Sequence, residues 1–388
     1  MEKDMKFGRK IKYLIIYLSL ILFCSIGCKK SGPVEPPDPP QPLPDDLALF
    51  ASIDGNWCGI QVFNANSLEK IDSLETTPGV PFSIEFSPDY SKWYTIWHDN
   101  NDNYVLYAID AKTKAIIRSI NVTGQFLHML KNKNILVTTA GKLRFWNADN
   151  FNLIKEDSIG MDRMIRLISS PINNKMYAAR YTGIIPEIVV YNIETFNIER
   201  TINLSDSTKP RSLAFADLEI SPDGRLLFVT VFNWNIWSGI FFAIDLSTYQ
   251  IVAELPCGSF SQIGVSSDGH YVYITDPAGY FYMMEPTDHL LRYNIHARSM
   301  EVFINGLRDI GLTGNMLMIT DQVVIAPDNR TMFLTFMGDA KTTDGKQVHI
   351  IKLDILTKKV LCVYSIPPDY RGYVTQRIAQ LKLGRYRQ

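Results

Sequence analysis

The sequence predicts an all-β fold, a seven-bladed β-propeller of four-stranded antiparallel blades, and three observations carry that prediction. First, the polar turn in "ISPDGRLLFVTV" (220–231) is rewritten along the chain. It returns as "FSPDYSKWYTIW" (86–97), "SSPINNKMYAAR" (169–180), "VSSDGHYVYITD" (265–276) and "IAPDNRTMFLTF" (325–336). Second, an acid or amide ends an apolar run at Asn64, Asp110, Asn147, Asn192, Asp245, Asn294 and Asp354. Ser or Thr follows three residues later at Ser67, Thr113, Thr195, Thr248 and Thr357. Such side chains accept hydrogen bonds from the backbone just ahead and close a hairpin turn. Third, aromatics make up 12% of 388 residues beside abundant Val, Ile and Thr, a composition that fits pleated strands.

The chain opens with an address. Lys6, Arg9, Lys10 and Lys12 precede the apolar "YLIIYLSLILF" (13–23) and the small-residue ending "CSIGC", the pattern of a secretory signal over residues 1–27. Ser25-Ile26-Gly27-Cys28 resembles a bacterial lipobox, although Ser25 stands where Leu is usual. The resemblance implies lipidation of Cys28 and a place in the bacterial cell envelope, on the outer membrane, its periplasmic side or the cell surface. Residues 28–46 form a linker, with seven prolines between 29 and 46 that favour an extended, semi-rigid spacer.

The propeller is expected over 47–388. The Asx turns recur 37 to 60 residues apart, and one SPDG-type turn falls between consecutive copies. Each period therefore holds four short strands, A to D, which is one blade. The SPDG-type turn joins A to B, and its aspartates are structural. The Asx turn joins C to D. Seven Asx turns but six internal SPDG-type turns leave the ends to be paired. "LALFASI" (47–53) reads as a strand B with no strand A before it, and "YVTQRIAQLKLG" (373–384) reads as a lone strand A. Their pairing closes the ring in one blade.

The stretch "YQIVAELPCGSFSQIGVSSDGHYVYITD" (249–276) resembles the YVTN-type repeat, and the likeness extends over about 47–388. It implies a secreted or surface propeller, with more distant enzymes sharing the ring. Blade 3 ("LKNKNILVTTAG") departs from the pattern, as does blade 6 with its long insertion.

Charge and cysteine usage exclude several classes. Removing residues 1–27 takes five of 39 Lys and Arg and two of 40 Asp and Glu, leaving a net of −4. That balance gives no footprint for nucleic acid. After Cys28 only Cys58, Cys257 and Cys362 remain, without CxxC spacing, so free thiols are expected, with a Cys58–Cys362 pair left open. No zinc motif, GxSxG elbow or phosphate-binding glycine loop appears, and no cofactor is implied.

The A–B and C–D turns are short and stereotyped, whereas the B–C and D–A connections vary, and they emerge on the opposite face. Variable loops on a rigid scaffold are where recognition resides. Trp57, Tyr181, Trp234, Trp237, Tyr280 and Tyr282 fall in the B–C loops, with Trp97 at an edge; Phe260, Tyr370 and Tyr373 fall in D–A loops. Two readings stay open: loop-on-loop packing, or a surface for a protein or glycan, with "FNWNIWSG" (232–239) the leading candidate. Charged residues suited to chemistry are few. Glu285, Asp288 and His289 in "EPTDH", with His98, are the candidates for an enzyme of lactonase or dehydrogenase-like type at the channel mouth. The third expectation is an architectural subunit of an envelope assembly. Of the three, a non-catalytic, lipid-anchored binding propeller fits the residues best.

Overall fold

The computed structural model describes residues 38–54, 59–75, 80–98, 103–124, 126–139, 142–157, 163–181, 186–204, 213–233, 238–278, 287–312, 318–339, 346–366 and 377–386. Cys28, Trp57, Cys58, Trp234, Trp237, Tyr280, Tyr282, Glu285, Tyr370 and Tyr373 lie outside them. The compact unit that contains the strands runs from Pro40 to Gln388.

Seven four-stranded antiparallel sheets form the ring. Blade 1 contains β1 (Leu47–Asp54), β2 (Gly59–Asn64), β3 (Lys70–Glu75) and, from the far end of the chain, β28 (Arg377–Arg385). Blade 2 is β4 (Val80–Phe86), β5 (Lys92–His98), β6 (Tyr104–Asp110) and β7 (Ile116–Val122). Blade 3 is β8 (Phe126–Leu130), β9 (Ile135–Thr139), β10 (Leu143–Asn147) and β11 (Leu153–Asp157). Blade 4 is β12 (Arg163–Ser169), β13 (Lys175–Tyr181), β14 (Pro186–Asn192) and β15 (Asn197–Asn203). Blade 5 is β16 (Leu213–Ile220), β17 (Leu226–Asn233), β18 (Ser238–Asp245) and β19 (Gln250–Cys257). Blade 6 is β20 (Ile263–Val265), β21 (Tyr271–Ala278), β22 (Thr287–Asn294) and β23 (Ser299–Asn305). Blade 7 is β24 (Met318–Ile325), β25 (Thr331–Asp339), β26 (Lys346–Asp354) and β27 (Lys359–Ser365).

The seven blades and the closure match the expectation. β1 pairs with β28 from Leu47–Arg385 to Asp54–Arg377, with one bulge between Ser52 and Ile53. Asp46 and Arg385 add an ion pair at the end of that ladder (2.6 Å). The inner strands touch in the order β28, β4, β8, β12, β16, β20, β24 and back to β28, so every blade packs between two others. Phe50 of β1 sits where blades 1 and 2 meet, 4.7 Å from the Phe86 ring and edge-on to Trp93 at 5.2 Å. Ahead of β1, Leu43 is buried among residues of blades 1 and 7. Its backbone N–H donates to Asn66 Oδ1 (2.8 Å), and Asn66 Nδ2 donates back to its carbonyl (2.9 Å).

The turn residues do what their chemistry predicts. In blade 2, Asp110 Oδ1 accepts from the N–H groups of Lys112 (3.0 Å) and Thr113 (2.7 Å). In blade 5, Asp245 does the same for Ser247 and Thr248. At the A–B turns, Ser87, Ser221 and Ser266 each donate to the aspartate two residues on (2.6–2.7 Å). Three hydrogen bonds from Ser87 and Ser91 hold the Asp89 carboxyl down at about 2.

One device was not visible in the sequence. The residue four after each Asx anchor adopts the left-handed conformation, and none is glycine: Leu68, Lys114, Phe151, Phe196, Tyr249, Arg298 and Lys358 (φ 53–60°). That conformation costs about 1 kcal/mol or more for an ordinary residue. In six of the seven it swings the side chain onto the preceding blade. Phe196 stacks against Phe145 (4.8 Å), Phe151 lies beside Tyr94 (6.4 Å) and Lys358 Nζ sits over the Phe303 ring (4.7 Å). Tyr249 accepts from Lys175 Nζ (2.7 Å) under the Arg200 guanidinium, and Lys114 pairs with Asp72 (2.8 Å). Leu68 completes the cluster between blades 1 and 7.

Phe50→Ala empties the junction next to the closing ladder without touching any loop. It should lower the unfolding free energy by about 3–5 kcal/mol, measured as a shift of the denaturant midpoint at constant slope. A cost under about 1 kcal/mol would show that the blade 1–blade 2 contact does not hold the ring.

Candidate functional site in the central channel

Of the residues expected at the loop face, the structure places only some. Trp97 is in β5, 8% exposed, inside the core between blades 1 and 2. Its ring lies on Tyr107 (4.4 Å) and its indole N–H donates to Thr95 Oγ1 (3.1 Å), so it is a packing residue rather than a loop edge. Tyr181 ends β13. His98 belongs to β5 and stacks with Tyr104 (4.7 Å). The blade 6 insertion is shorter than the sequence suggested, because Asp288 and His289 are already in β22. His289 faces Asp276 across the ladder, with Nδ1 3.7 Å from Oδ2. His98 and His289 thus stand in strands of blades 2 and 6, not together. Cys257 and Cys362 are free thiols, and burial pushes the Cys257 thiol up to about 12.

The described residues gather ionisable groups elsewhere, along the inner strands. An inner strand has one edge paired with strand B and one edge turned to the channel, where its N–H and C=O groups have no ladder partner. Side chains from neighbouring blades satisfy them. Gln380 Oε1 of blade 1 accepts from Ile84 N–H of blade 2 (2.6 Å), and Gln322 Oε1 of blade 7 from Leu381 N–H of blade 1 (3.3 Å). Asp217 Oδ2 of blade 5 accepts from Ile263 N–H of blade 6 (2.9 Å). Register slips put three of these side chains in place: Arg166, Asp217 and Gln380 each follow a one-residue bulge, the feature that re-aims a side chain within a strand.

Arg166 links three consecutive blades. From blade 4 it donates through Nη2 to Gln262 Oε1 on blade 6 (3.1 Å) and through Nε to the Ala216 carbonyl on blade 5 (3.4 Å). Its Nε is also 3.6 Å from Asp217 Oδ1. On the other side, Lys382 Nζ of blade 1 pairs with Glu85 Oε1 of blade 2 (2.6 Å). His128 of blade 3 is 3.8 Å from the same carboxylate and shares a hydrogen bond with Ser169 Oγ (2.9 Å). Glu219, on blade 5, feels Asp217, Lys382 and Arg166. Blades 1 and 5 are not neighbours, so the Lys382–Glu219 interaction crosses the lumen.

Burial governs the charge states. It pushes the Glu219 carboxyl up to about 8, and the neighbouring Asp217 charge adds to the effect against Lys382 and Arg166. Asp217 is raised too, again chiefly by burial, with Arg166 and the Ile263 N–H opposing. Burial depresses His128 to about 4, the Glu85 charge opposing, so its imidazole is neutral near pH 7. Near neutrality the channel therefore holds a protonated Glu219 beside the Lys382–Glu85 ion pair.

Sequence reasoning passed over this cluster. Its trace is a lone acid two residues before the A–B turn, in "SIEFSPD" (83–89) and "DLEISPDG" (217–224). An isolated Glu in an apolar inner strand is the signal that could have found it. Among the described residues no group of three His, Cys, Asp or Glu is arranged to hold a metal ion.

No family model and no curated protein matches the chain. Among solved structures it is similar to hydrazine synthase of Kuenenia stuttgartiensis, with a TM-score of 0.53 and 17% identity over 71% of this chain and 76% of that one. At that identity the likeness is one of fold.

The channel acids set a pH dependence. The usual Glu value is 4.5. Between it and about 8 the folded protein keeps a proton on Glu219 that the unfolded chain has lost, so stability falls as pH rises through that window. His128 acts oppositely: the unfolded chain takes up its proton below 6.5, and stability falls as pH drops from 6.5 to about 4. Glu219→Gln removes the first effect only. Its melting temperature should exceed that of the parent, by a margin that widens from pH 4.5 to about 8 and then levels. A margin independent of pH would show that the carboxyl is not perturbed.

Proposed function

We propose that this chain is a non-catalytic binding propeller of the bacterial envelope, tethered through Cys28, that recognises a protein or glycan with its B–C and D–A loop face. One observation carries the reading: the two faces of the ring are built differently. On the A–B/C–D face the turns repeat one plan and spend their polar groups on themselves. Most of the variation in length and sequence lies in connections that leave from the other face. Trp57, Trp234, Trp237, Tyr280 and Tyr282 fall in those connections. Flat amphipathic rings on a rigid ring suit sugar faces and protein hot spots. The likeness of 249–276 to the YVTN-type repeat and of 25–28 to a lipobox supports the surface setting.

A second reading, a propeller enzyme working in the channel, draws on Glu219. A carboxylic acid that stays protonated near neutrality is a ready proton donor. The described residues bring no nucleophile to it, and the binding reading is preferred.

The purified chain should bind at least one class in a panel of envelope polysaccharides and envelope protein extracts. Trp234→Ala with Trp237→Ala should weaken that binding by about tenfold or more, since hot-spot tryptophans contribute about 2 kcal/mol or more each. Equal binding by the double variant, with its fold intact by circular dichroism, would remove the loop face as the recognition surface. Cys28→Ser should move the protein from the membrane fraction to the soluble fraction. Unchanged membrane retention would remove the lipid anchor.

A further inference from the structure

We propose that the groove between the outer strands of blades 4 and 5, β15 and β19, binds a sugar acid, with the Arg200 guanidinium as the contact for its carboxylate. The groove lies on the outer wall of the ring and is independent of recognition by the aromatic loops.

The groove has a volume of about 350 Å³, within the range of small-molecule sites. Arg200 lies along it against Tyr249 of blade 5, whose ring centre is 4.8 Å from the guanidinium carbon. The same place in two other blades shows what sets Arg200 apart. Asp72, Lys155 and Arg200 stand at equivalent register, each the first residue after the bulge of its outer strand. Asp72 is neutralised by Lys114 of the next blade at 2.8 Å, and Lys155 Nζ donates to the Phe196 carbonyl of the next blade at 2.7 Å. Arg200 meets only a ring. Its guanidinium makes no hydrogen bond or ion pair with any described residue, so its N–H donors are unspent. The other cation at Tyr249 is accounted for: Lys175 Nζ donates to the Tyr249 hydroxyl (2.7 Å) and pairs with Glu199 (3.2 Å). The groove therefore carries one uncompensated positive charge, and no acid stands among its described lining residues.

The chemistry of the lining selects the ligand. A guanidinium presents a planar fork that matches a carboxylate in two parallel hydrogen bonds. With Lys175 already paired, a lone cation suits a single negative charge, a carboxylate before a phosphate dianion. The Tyr249 ring against the fork restrains it before any ligand arrives, which lowers the entropic cost of binding. Thr201 and Asn203 of β15 and Gln250 of β19 also line the groove, and hydroxyl and amide side chains both donate and accept. That set suits a molecule bearing several hydroxyls. Ile202 and Ile251 add apolar surface for the C–H groups of a sugar ring. A hexuronate unites these features, one carboxylate on a ring of hydroxyls.

The full chain is titrated with sodium glucuronate by calorimetry at low salt near pH 7. The expected result is saturable binding in the millimolar range or tighter. Glucose, which lacks the carboxylate, and acetate, which lacks the hydroxyls, should each bind at least about tenfold more weakly. Glucose 6-phosphate should bind no more tightly than glucuronate. Arg200→Gln, a change on an exposed outer strand, should weaken glucuronate binding by about tenfold or more. The Trp234→Ala, Trp237→Ala double variant should leave it unchanged, so a failure here is distinct from a failure of the loop face. No binding by the parent chain, equal affinity for glucose or acetate, or tighter binding of glucose 6-phosphate would each overturn the proposal. These outcomes are read on the unmodified chain and stand even if a variant fails to fold. Equal binding by Arg200→Gln, or loss of binding in the double tryptophan variant, would place the ligand elsewhere and overturn it as well.

Discussion

A propeller blade has two apolar faces and cannot bury either alone, so the structure depends on the ring being closed. In this protein closure rests on β1 and β28, strands from opposite ends of the domain that share one antiparallel ladder. With that ladder formed, blade 1 has neighbours on both sides, Phe50 fills the junction with blade 2 and Leu43 caps the junction with blade 7. Without it, blades 2 and 7 would each face water with a sheet of Trp, Phe, Ile and Val. The covalent chain links blades in sequence, but it is this non-covalent pairing, across more than 300 residues, that turns a row of sheets into a ring.

The frame was legible in the sequence because it is made of local chemistry. An Asp or Asn with Ser or Thr three residues later specifies its own turn, and seven such turns specify seven blades. The closing pair could be read because one strand was left over at each end. What escaped reading is what depends on neighbours in space. The left-handed residues after the C–D turns are Leu, Lys, Phe, Tyr and Arg, without the glycine that would have marked them. Six of them tolerate the backbone strain because the side chain lands on the preceding blade. Trp97 looked like a loop residue, yet strand B of a blade is covered on both faces, and Trp97, at its penultimate position, is still inside.

The channel was illegible for the same reason. Glu85, His128, Arg166, Asp217, Glu219 and Lys382 come from five blades and share no spacing that a linear scan would register. They meet because every inner strand turns an unpaired backbone edge toward the axis, and polar side chains are the means of satisfying that edge in the absence of another strand. Having brought amides and acids to the axis for that purpose, the ring also buries Glu219 there, and burial raises its pKa.

The entry of the chain at Leu43 has a mechanical meaning. Asn66 grips the Leu43 backbone in both directions at the C–D turn of blade 1, and β1 then runs into the ring between β2 and β28. A pull on the chain at Leu43 meets that clasp first and then draws β1 along its own length. The hydrogen bonds of an antiparallel ladder lie across the strand axis, so the load falls on both ladders in shear and all their rungs resist together. A tether attached at a sheet's outer edge would instead peel rungs one at a time. The central position of the first strand therefore lets the ring bear tension applied at its first strand, at the point where it would otherwise open.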